Sequence, residues 1–133
     1  MAKVSKLELV MAALAARERA VAPYSKFKVG AALLTSDGEI ITGANVESAS
    51  YGLTCCAERI ALFKALTEGR NKFVAVAVVA RVKGVPMPCG ACRQLLAEYA
   101  PKAVVWTADS RSPRKISEFS VAELLPAAFL KVP

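Results

Sequence analysis

The spacing of apolar residues predicts an amphipathic helix near the start of the chain. Four of them recur at the three- and four-residue intervals of one helical face: Leu7, Val10, Met11 and Leu14. Ser5 is placed to cap this helix, and charged residues follow it directly. A secretory signal peptide is the alternative, but Glu8 would interrupt its apolar core. We therefore expect the segment to be a helix of the folded protein.

Apolar and β-branched segments farther along the chain predict five strands. These are residues 27–35, 39–42, 73–80, 103–107 and 115–119. Asp37 and Gly38 are a hairpin signal, so the first two strands are expected to pair antiparallel. The run at 73–80 is apolar throughout, which is typical of a strand covered on both faces. Helix-forming residues occupy 56–68, 90–99 and, more briefly, 121–125.

The order of these elements predicts the fold class. A helix, a hairpin and then alternating helices and strands indicate an α/β fold, a three-layer α/β/α sandwich with a mixed five-stranded sheet. With 133 residues, 55% of them hydrophobic, the chain can bury a sizeable core, so we expect one domain over residues 1–133. No apolar stretch approaches the roughly 18 residues of a membrane span. We expect a cytoplasmic protein whose thiols stay reduced.

The amino-acid composition restricts the possible chemistry. The chain contains no histidine, which excludes Ser-His-Asp and Cys-His nucleophiles, HExxH proteases and any histidine base. Its formal net charge of +7 is compatible with an anionic partner such as nucleic acid. The basic residues are scattered, however, with one modest cluster at Arg111, Arg114 and Lys115. This distribution argues against a dedicated nucleic-acid-binding arm.

Three cysteines lie where a loop enters a predicted helix. Cys56 precedes one helix, and Cys89 and Cys92 share one face at the start of the next. A helix N-terminus favours thiolates through its dipole and its free N–H groups. Together the three sulfurs would leave the fourth tetrahedral position of a Zn²⁺ ion open, which is typical of catalytic sites. The pattern therefore predicts a catalytic zinc centre.

Charged residues beside these cysteines complete the predicted chemistry. Glu58 lies two residues after Cys56, close enough to act as proton shuttle for a water at the open position without binding the metal. Three thiolates weaken the ability of zinc to acidify water, so a counter-charge is needed. Arg59 and Arg93 are the available cations, and we expect Arg59 to hydrogen-bond the sulfurs.

Less specific interpretations of the cysteines remain open at this stage. A single CxxC pair also occurs in redox motifs and in structural zinc ribbons. Cys55 has no partner pattern and is interpreted as a small core residue, because adjacent cysteines satisfy tetrahedral geometry poorly. A noncatalytic zinc- or thiol-binding module is an alternative function, although it leaves Glu58 unexplained.

The sequence is similar to the small zinc-dependent cytidine deaminases over nearly its whole length. The segments that carry the resemblance are YSKFKVGAA at 24–32, GANVE at 43–47, ASYGLT at 49–54, CAER at 56–59, PCGACRQ at 88–94 and LLP at 124–126. Two positions depart from the family pattern. Ser48 replaces the usual asparagine, and Cys55 stands where an aliphatic or other residue is commoner.

The resemblance implies a reaction and a cofactor. The reaction is hydrolytic deamination of cytidine and deoxycytidine to uridine and deoxyuridine with release of ammonia, a step of pyrimidine salvage. One Zn²⁺ per chain would be held by Cys56, Cys89 and Cys92 and would activate water for addition at C4 of cytosine. Glu58 would carry the protons, and no organic cofactor would be needed.

The resemblance also implies contacts with a nucleoside. Asn45 and Glu47 correspond to the pair that binds the ribose 3′-hydroxyl. Phe27 corresponds to the aromatic residue that packs on the base, and the Ala57 N–H to a contact with the base carbonyl. Without the resemblance, Phe27 would be interpreted as an ordinary core residue.

Three further positions imply a shared active site. Ala49 and Tyr51 correspond to residues that reach the nucleoside of a neighbouring subunit, and Phe129 to the C-terminal aromatic residue that closes another subunit's pocket. A homotetramer is therefore implied. A deaminase acting on bases within RNA or DNA is the alternative, but it would need an open basic channel with stacking aromatic residues. A closing phenylalanine suits a small ligand instead.

Overall fold

The helices and strands follow the order expected from the sequence. The computed structural model describes residues 3–132. The helices are α1 (Lys6–Arg17), α2 (Ala57–Thr67), α3 (Gly90–Tyr99) and α4 (Val121–Leu124). The strands are β1 (Val29–Thr35), β2 (Ile40–Ala44), β3 (Phe73–Ala80), β4 (Val104–Asp109) and β5 (Ser117–Ser120). No helix within residues 3–132 combines the length and apolarity that a bilayer crossing requires.

The five strands form one mixed sheet. Their order across the sheet is β2-β1-β3-β4-β5. The central strands β3 and β4 run parallel, whereas the pairs β1–β2, β1–β3 and β4–β5 are antiparallel. The predicted hairpin connects β1 with β2. The prediction of a mixed five-stranded sheet is confirmed.

Helices cover both faces of this sheet. The residues of β3 alternate between two apolar clusters, with Ala75, Ala77 and Val79 packed with α1 on one face. Val76 and Val78 pack on the opposite face, in a cluster that contains residues of α2, α3 and α4. Burial on both faces explains why the sequence of β3 is apolar throughout. The architecture is therefore the predicted three-layer sandwich.

Two glycines allow the helices to approach the sheet closely. A Cβ atom at Gly43 in β2 would lie 2.5 Å from the backbone nitrogen of Ala61 in α2. On the other face, a Cβ atom at Gly30 would overlap the backbone of Ala13 in α1. Only glycine permits such contacts, since any side chain would push the helix away. The position of α2 relative to β1 and β2 is thus fixed by backbone packing.

The ends of several strands differ from the prediction for identifiable reasons. β1 begins at Val29 rather than residue 27, because the Asn45 side chain binds the backbone at both Phe27 and Val29. β2 extends to Ala44 because its last residues still pair with β1. β5 begins at Ser117 rather than residue 115 because backbone hydrogen bonds fold residues 109–115 into turns.

Candidate active site

Three cysteine thiols converge at the N-termini of two helices. Cys56 is the N-cap residue of α2, Cys89 is the N-cap residue of α3, and Cys92 lies in the first turn of α3. The Sγ atom of Cys89 lies 3.6 Å from that of Cys56 and 3.4 Å from that of Cys92. All three Sγ atoms are within 4.8 Å of one another. The fold thus brings together two cysteines, Cys56 and Cys89, that are 33 positions apart in the sequence.

The geometry of these thiols fits a zinc ion. Sulfur ligands that lie about 2.3 Å from zinc in a tetrahedron are about 3.8 Å apart. The Cys56–Cys89 and Cys89–Cys92 sulfur distances of 3.6 and 3.4 Å are within a few tenths of an ångström of that value. The sulfur separations are longer than an S–S bond, and all three cysteines are free thiols. Neither N-cap cysteine uses its side chain to cap its helix, so both sulfurs remain available to a metal. The donor set is therefore suited to zinc with one open coordination position.

Arg59 supplies positive charge beside the first of these thiols. Its Nη2 atom donates hydrogen bonds to Cys56 Sγ at 3.4 Å and to the Thr54 carbonyl oxygen at 3.3 Å. Hydrogen bonds from the Cys92 thiol and from Arg59 lower the pKa of Cys56 to about 5, despite its partial burial. Cys56 is therefore a thiolate at neutral pH, which is the form that binds metal.

Arg93 directs its side-chain hydrogen bonds to backbone. Its Nε atom donates to the Pro88 carbonyl oxygen at 2.8 Å, and its Nη1 atom donates to the Leu124 carbonyl oxygen at 3.1 Å. Among residues 3–132, Arg59 rather than Arg93 donates a hydrogen bond to a thiol sulfur. The position of Arg93 next to Cys92 in the sequence suggested a counter-charge and could not show these backbone contacts.

Cys55 lies outside the thiol group. Its backbone N–H and carbonyl groups both pair with Val46, and its thiol is not among the three that converge at Cys56, Cys89 and Cys92. Burial raises the pKa of the Cys55 thiol, so it stays protonated at neutral pH. Cys55 is only partly buried and is therefore not the core residue that the sequence suggested, but it is not one of the three converging thiols.

Glu58 is a buried carboxyl group in the first turn of α2. Only 5% of its surface is exposed, and it lines the same cavity as Cys56 and Cys89. Burial raises the pKa of Glu58 to about 7. A carboxyl group with a pKa near neutrality can both accept and return a proton at physiological pH. The arrangement places a proton carrier beside the sulfurs.

The cavity has the size of a small-molecule site. Its volume is about 360 Å³. The predicted residues that line it are Phe27, Asn45, Glu47, Cys56, Ala57, Glu58 and Cys89. A larger cleft of about 560 Å³ lies on the other side of the loop at 84–86, and none of the three thiols lines it. Chemistry rather than size therefore identifies the candidate active site.

Asn45 and Glu47 line the same cavity as Cys56 and Cys89 and are tied to nearby backbone. Asn45 is 7% exposed, and its amide accepts from the Val29 N–H at 2.8 Å and donates to the Phe27 carbonyl at 2.8 Å. The Glu47 carboxylate accepts hydrogen bonds from the backbone N–H groups of Tyr24 and Ser25 at 3.1 Å, and from the Ser25 hydroxyl. Both residues therefore fix the loop that carries Phe27.

Three of the predicted substrate residues lie outside this cavity. Ala49 is exposed, and Tyr51 is 85% exposed and lines a separate cleft of about 300 Å³ together with Glu47. Phe129 is 63% exposed, and its carbonyl oxygen accepts a hydrogen bond from Gln94 Nε2 at 2.8 Å. Within a single chain, these side chains are not brought to the thiols.

One wall of the cavity was not predicted from the sequence. This wall is formed by the end of β3 and the loop that follows, with Val78, Ala80, Val82, Lys83, Val85, Pro86 and Met87. The closeness of this loop to Cys89 and its paired prolines were the available signals. They did not indicate which side chains face the cavity, since that depends on how the loop crosses the end of the sheet.

Comparison with known proteins agrees with the geometry. The model of the cytidine and deoxycytidylate deaminase zinc-binding region matches residues 4–108. A cytidine deaminase of Halalkalibacterium halodurans is 56% identical over 122 residues, which are 91% of this chain and 91% of that protein. A blasticidin-S deaminase of Bacillus cereus is 32% identical over 115 residues, which are 80% of each chain.

A solved structure shows the same fold. The crystal structure of a cytidine deaminase from Burkholderia pseudomallei superposes with a TM-score of 0.90 at 49% sequence identity. The similarity covers 94% of this chain and 99% of that one. The matched family region contains all three converging cysteines and Glu58. The resemblance identified from the sequence is confirmed, and the chain belongs to the cytidine and deoxycytidylate deaminase zinc-binding family.

Proposed function

We propose that this protein is a zinc-dependent deaminase that hydrolyses cytidine and deoxycytidine to uridine and deoxyuridine, with release of ammonia. One observation carries the proposal: the thiols of Cys56, Cys89 and Cys92 meet beside the buried Glu58 in a cavity large enough for a nucleoside. The similarity to proteins named cytidine deaminase supports the same reaction. The products identify the step as one of pyrimidine salvage.

The metal and Glu58 have separate tasks in this proposal. One zinc ion per chain, held by Cys56, Cys89 and Cys92, would act as a Lewis acid that makes water a competent nucleophile at neutral pH. Glu58 accepts a proton from that water and delivers it to N3 of the pyrimidine as oxygen adds to C4. Glu58, again ionised, then takes the proton of the new C4 hydroxyl and passes it to the amino group. The C4–N bond breaks as the C4 carbonyl forms, and the amino group leaves as ammonia. Water is consumed, and uridine or deoxyuridine remains.

Arg59 supports this chemistry through the thiolates. Its hydrogen bond to Cys56 Sγ withdraws charge from the donor set, so that three sulfurs do not neutralise the metal fully. The same contact holds Cys56 in the thiolate form. Arg59 is therefore a positioning and charge-balancing residue that touches a ligand rather than the substrate.

The cavity walls would recognise the nucleoside. Phe27 packs on the base, and the Ala57 N–H at the start of α2 donates to the base carbonyl. Asn45 retains one amide N–H, and Glu47 retains lone pairs, for the ribose 3′-hydroxyl. Glu47 can accept a hydrogen bond from that hydroxyl because its carboxylate is ionised at neutral pH. The Ser25 hydroxyl and the backbone N–H groups of Ser25 and Tyr24 lower the pKa of Glu47.

Neighbouring copies of the chain would complete each site. Ala49 and Tyr51 would reach the nucleoside of an adjacent subunit, and Phe129 would close another subunit's cavity, in a homotetramer. Two large apolar side chains lie close together in the turn Tyr51–Leu53, where Tyr51 and Leu53 are 85% and 74% exposed. Neighbouring exposed apolar residues support this assembly, because contiguous apolar patches mark interfaces. Phe129 is 63% exposed.

The thiol ligands support a cytoplasmic location. Zinc binding needs Cys56, Cys89 and Cys92 in their reduced state, and two pairs of these sulfurs lie close enough to be at risk of oxidation. The cytoplasm keeps thiols reduced, whereas an oxidising compartment would favour disulfides. Nucleosides available for salvage are also small molecules that need no membrane-bound enzyme.

A substrate panel tests the proposed function. Ammonia release by the zinc-loaded protein is measured with cytidine, deoxycytidine, adenosine, free cytosine and a short single-stranded oligonucleotide. We expect turnover of cytidine and deoxycytidine and little or none of the other three. Preferential deamination of the oligonucleotide would identify a polynucleotide deaminase instead. Zinc binding without turnover of any substrate would favour the noncatalytic module.

A further inference from the structure

Arg93 joins three parts of the chain through a single guanidinium group. Arg93 itself lies in α3, directly after the proposed ligand Cys92. The Nε atom reaches back 2.8 Å to the carbonyl oxygen of Pro88, the residue before Cys89. The Nη1 atom reaches forward 3.1 Å to the carbonyl oxygen of Leu124, the last residue of α4. The two carbonyls are 36 residues apart in sequence and share one side chain.

Both carbonyl groups lack partners within a helix. Pro88 precedes the N-cap residue of α3, so its carbonyl lies outside the helical ladder, and its side chain is fully buried. Leu124 ends α4, where carbonyl groups are left without helical N–H partners. A cation is also favoured at the C-terminus of a helix. Arg93 therefore satisfies two carbonyl groups that the helices leave without a backbone partner.

The contact with Pro88 bears directly on a metal ligand. Cys89 follows Pro88 and has no side-chain contact that caps α3. The backbone N–H of Arg93 donates to the Cys89 carbonyl at 2.9 Å, and its side chain holds the preceding carbonyl. Two successive peptide groups at Cys89 are thus held by one residue. This restricts how Cys89 can move relative to Cys92.

Arg93 is not engaged by a carboxylate among residues 3–132, so its polar contacts there are made with backbone carbonyls. The planar guanidinium presents donors in a fixed fork, whereas a lysine ammonium is a compact group that cannot span two carbonyls in this way. The geometry of the contact, and not only the positive charge, therefore matters.

We propose that Arg93 is a positioning residue of the metal centre, which sets the Pro88–Cys89 turn against the end of α4 so that the Cys89 sulfur is held ready for zinc. The inference rests on the zinc centre of the proposed function. Groups that orient metal ligands contribute about ten- to a hundredfold to metal affinity. Losing the Arg93 fork should weaken zinc binding by about that factor.

The neighbouring residue provides a contrast within the same helix. Gln94 Nε2 donates to the Phe129 carbonyl oxygen and to Glu98, and among residues 3–132 it makes no side-chain hydrogen bond to Pro88 or Leu124. Gln94 holds the C-terminal segment without touching the turn at Cys89. Replacing Gln94 should therefore leave zinc affinity unchanged, even if the position of Phe129 changes.

The test measures zinc affinity by competition with a chromophoric chelator, together with the absorption spectrum of the Co²⁺-substituted protein. We expect Arg93→Lys and Arg93→Ala to bind zinc about ten- to a hundredfold more weakly and to show altered Co²⁺ bands, which report ligand geometry. Gln94→Ala and Arg70→Ala serve as controls with unchanged affinity. Arg70 forms ion pairs with Glu39 and Glu68, outside the thiol group.

The outcomes separate this inference from the proposed function. Wild-type affinity and spectrum in Arg93→Lys would overturn the positioning role, because that variant keeps the charge and loses the fork. If Arg93→Ala does not fold, Arg93→Lys decides alone. A wild-type protein that binds no zinc would instead overturn the metal centre itself.

Discussion

Arg59 Nη2 lies 3.4 Å from Cys56 Sγ, three residues away across the first turn of α2. One short segment therefore carries the proposed metal ligand Cys56, the proposed proton carrier Glu58 and a cation that hydrogen-bonds the ligand sulfur. The helix N-terminus aligns these groups because its first residues have free N–H groups and a positive dipole end. The other two thiols are brought to them by α3, which begins in the same way.

This contact makes metal retention dependent on Arg59. Because the guanidinium favours the Cys56 thiolate, replacing it should raise the pKa of Cys56 from its lowered value of about 5. Protons then compete with zinc at higher pH. We expect Arg59→Gln to lose zinc at a pH about one unit higher than the wild type does. The acidic limb of its pH–activity profile should shift upward by about the same amount. Zinc content after dialysis across a pH series measures the shift.

The control for this experiment is Arg70→Gln, which removes an arginine from an ion pair with Glu39 instead. Its zinc retention should match the wild type at every pH. Superimposable curves for Arg59→Gln and the wild type would mean that Arg59 is an ordinary helix residue.

The identity of the ligands is tested by zinc content. We expect one zinc per chain, lost in Cys56→Ala, Cys89→Ala and Cys92→Ala, because each removes one of the three converging sulfurs. Cys55→Ala is the matched control, since Cys55 is adjacent in sequence but outside the group. Elemental analysis of purified protein measures the content. Loss of zinc in the Cys55 variant, with retention in the Cys56 variant, would exchange their roles.

The elements with strong local signals were predicted well. The strand at Phe73–Ala80 and the helix at Gly90–Tyr99 have the predicted bounds. The first is an apolar run with polar flanks, and the second ends just before Pro101, so local sequence sets their limits. The adjacent residues Asp37 and Gly38 likewise predicted the hairpin between β1 and β2. These features do not depend on distant contacts.

Features that depend on distant contacts were not predictable in the same way. The start of β1 is decided by Asn45, whose amide binds the backbone 16 and 18 residues earlier. The role of Arg93 depends on Leu124, 31 residues later. The side chains of the loop at 82–87 face the cavity because of how that loop crosses the sheet. None of these relationships leaves a local pattern in the sequence.

Ribose recognition separates a nucleoside enzyme from a base enzyme. Glu47→Gln removes the carboxylate charge but keeps the shape, so we expect kcat/KM for cytidine to fall about ten- to a hundredfold, the range of a hydrogen bond to a charged group. The already poor turnover of free cytosine should not change, because it has no ribose. Steady-state kinetics with both substrates measure the difference. Efficient deamination of cytosine by the wild type would contradict this role of Glu47.

Asn45→Ala is a less selective variant for the same question. Its amide also holds the backbone of Phe27 and Val29, so both the sugar contact and the loop under the base are disturbed. We therefore expect a larger loss of kcat/KM and a larger drop in thermal stability than in Glu47→Gln, where the amide oxygen can still accept from the loop N–H groups.

Assembly is tested through Phe129. Its ring would exclude water from another subunit's cavity and stack on the base, an effect of roughly 1 to 3 kcal/mol per base. We expect Phe129→Ala to remain a tetramer with full zinc content and to lose about ten- to a hundredfold in kcat/KM. Sedimentation and steady-state kinetics measure the two properties. A fully active monomer would contradict the shared-site arrangement.

Mixed oligomers give a sharper version of this experiment. Subunits carrying Phe129→Ala retain Glu58, and subunits carrying Glu58→Gln retain Phe129. If each site takes Phe129 from a neighbour, oligomers formed from both variants should regain activity that neither variant has alone. Activity equal to the average of the two separate variants would show that each site uses its own Phe129.

The proposed reaction depends on Glu58 as the proton carrier beside a zinc centre. The most direct measurement is the rate of ammonia release from cytidine by Glu58→Gln, with zinc content determined on the same sample. We expect one zinc per chain, as in the wild type, and a rate lower by about 100- to 10,000-fold, the typical contribution of general acid–base catalysis. Turnover close to the wild-type rate in fully zinc-loaded Glu58→Gln would contradict the proposed mechanism.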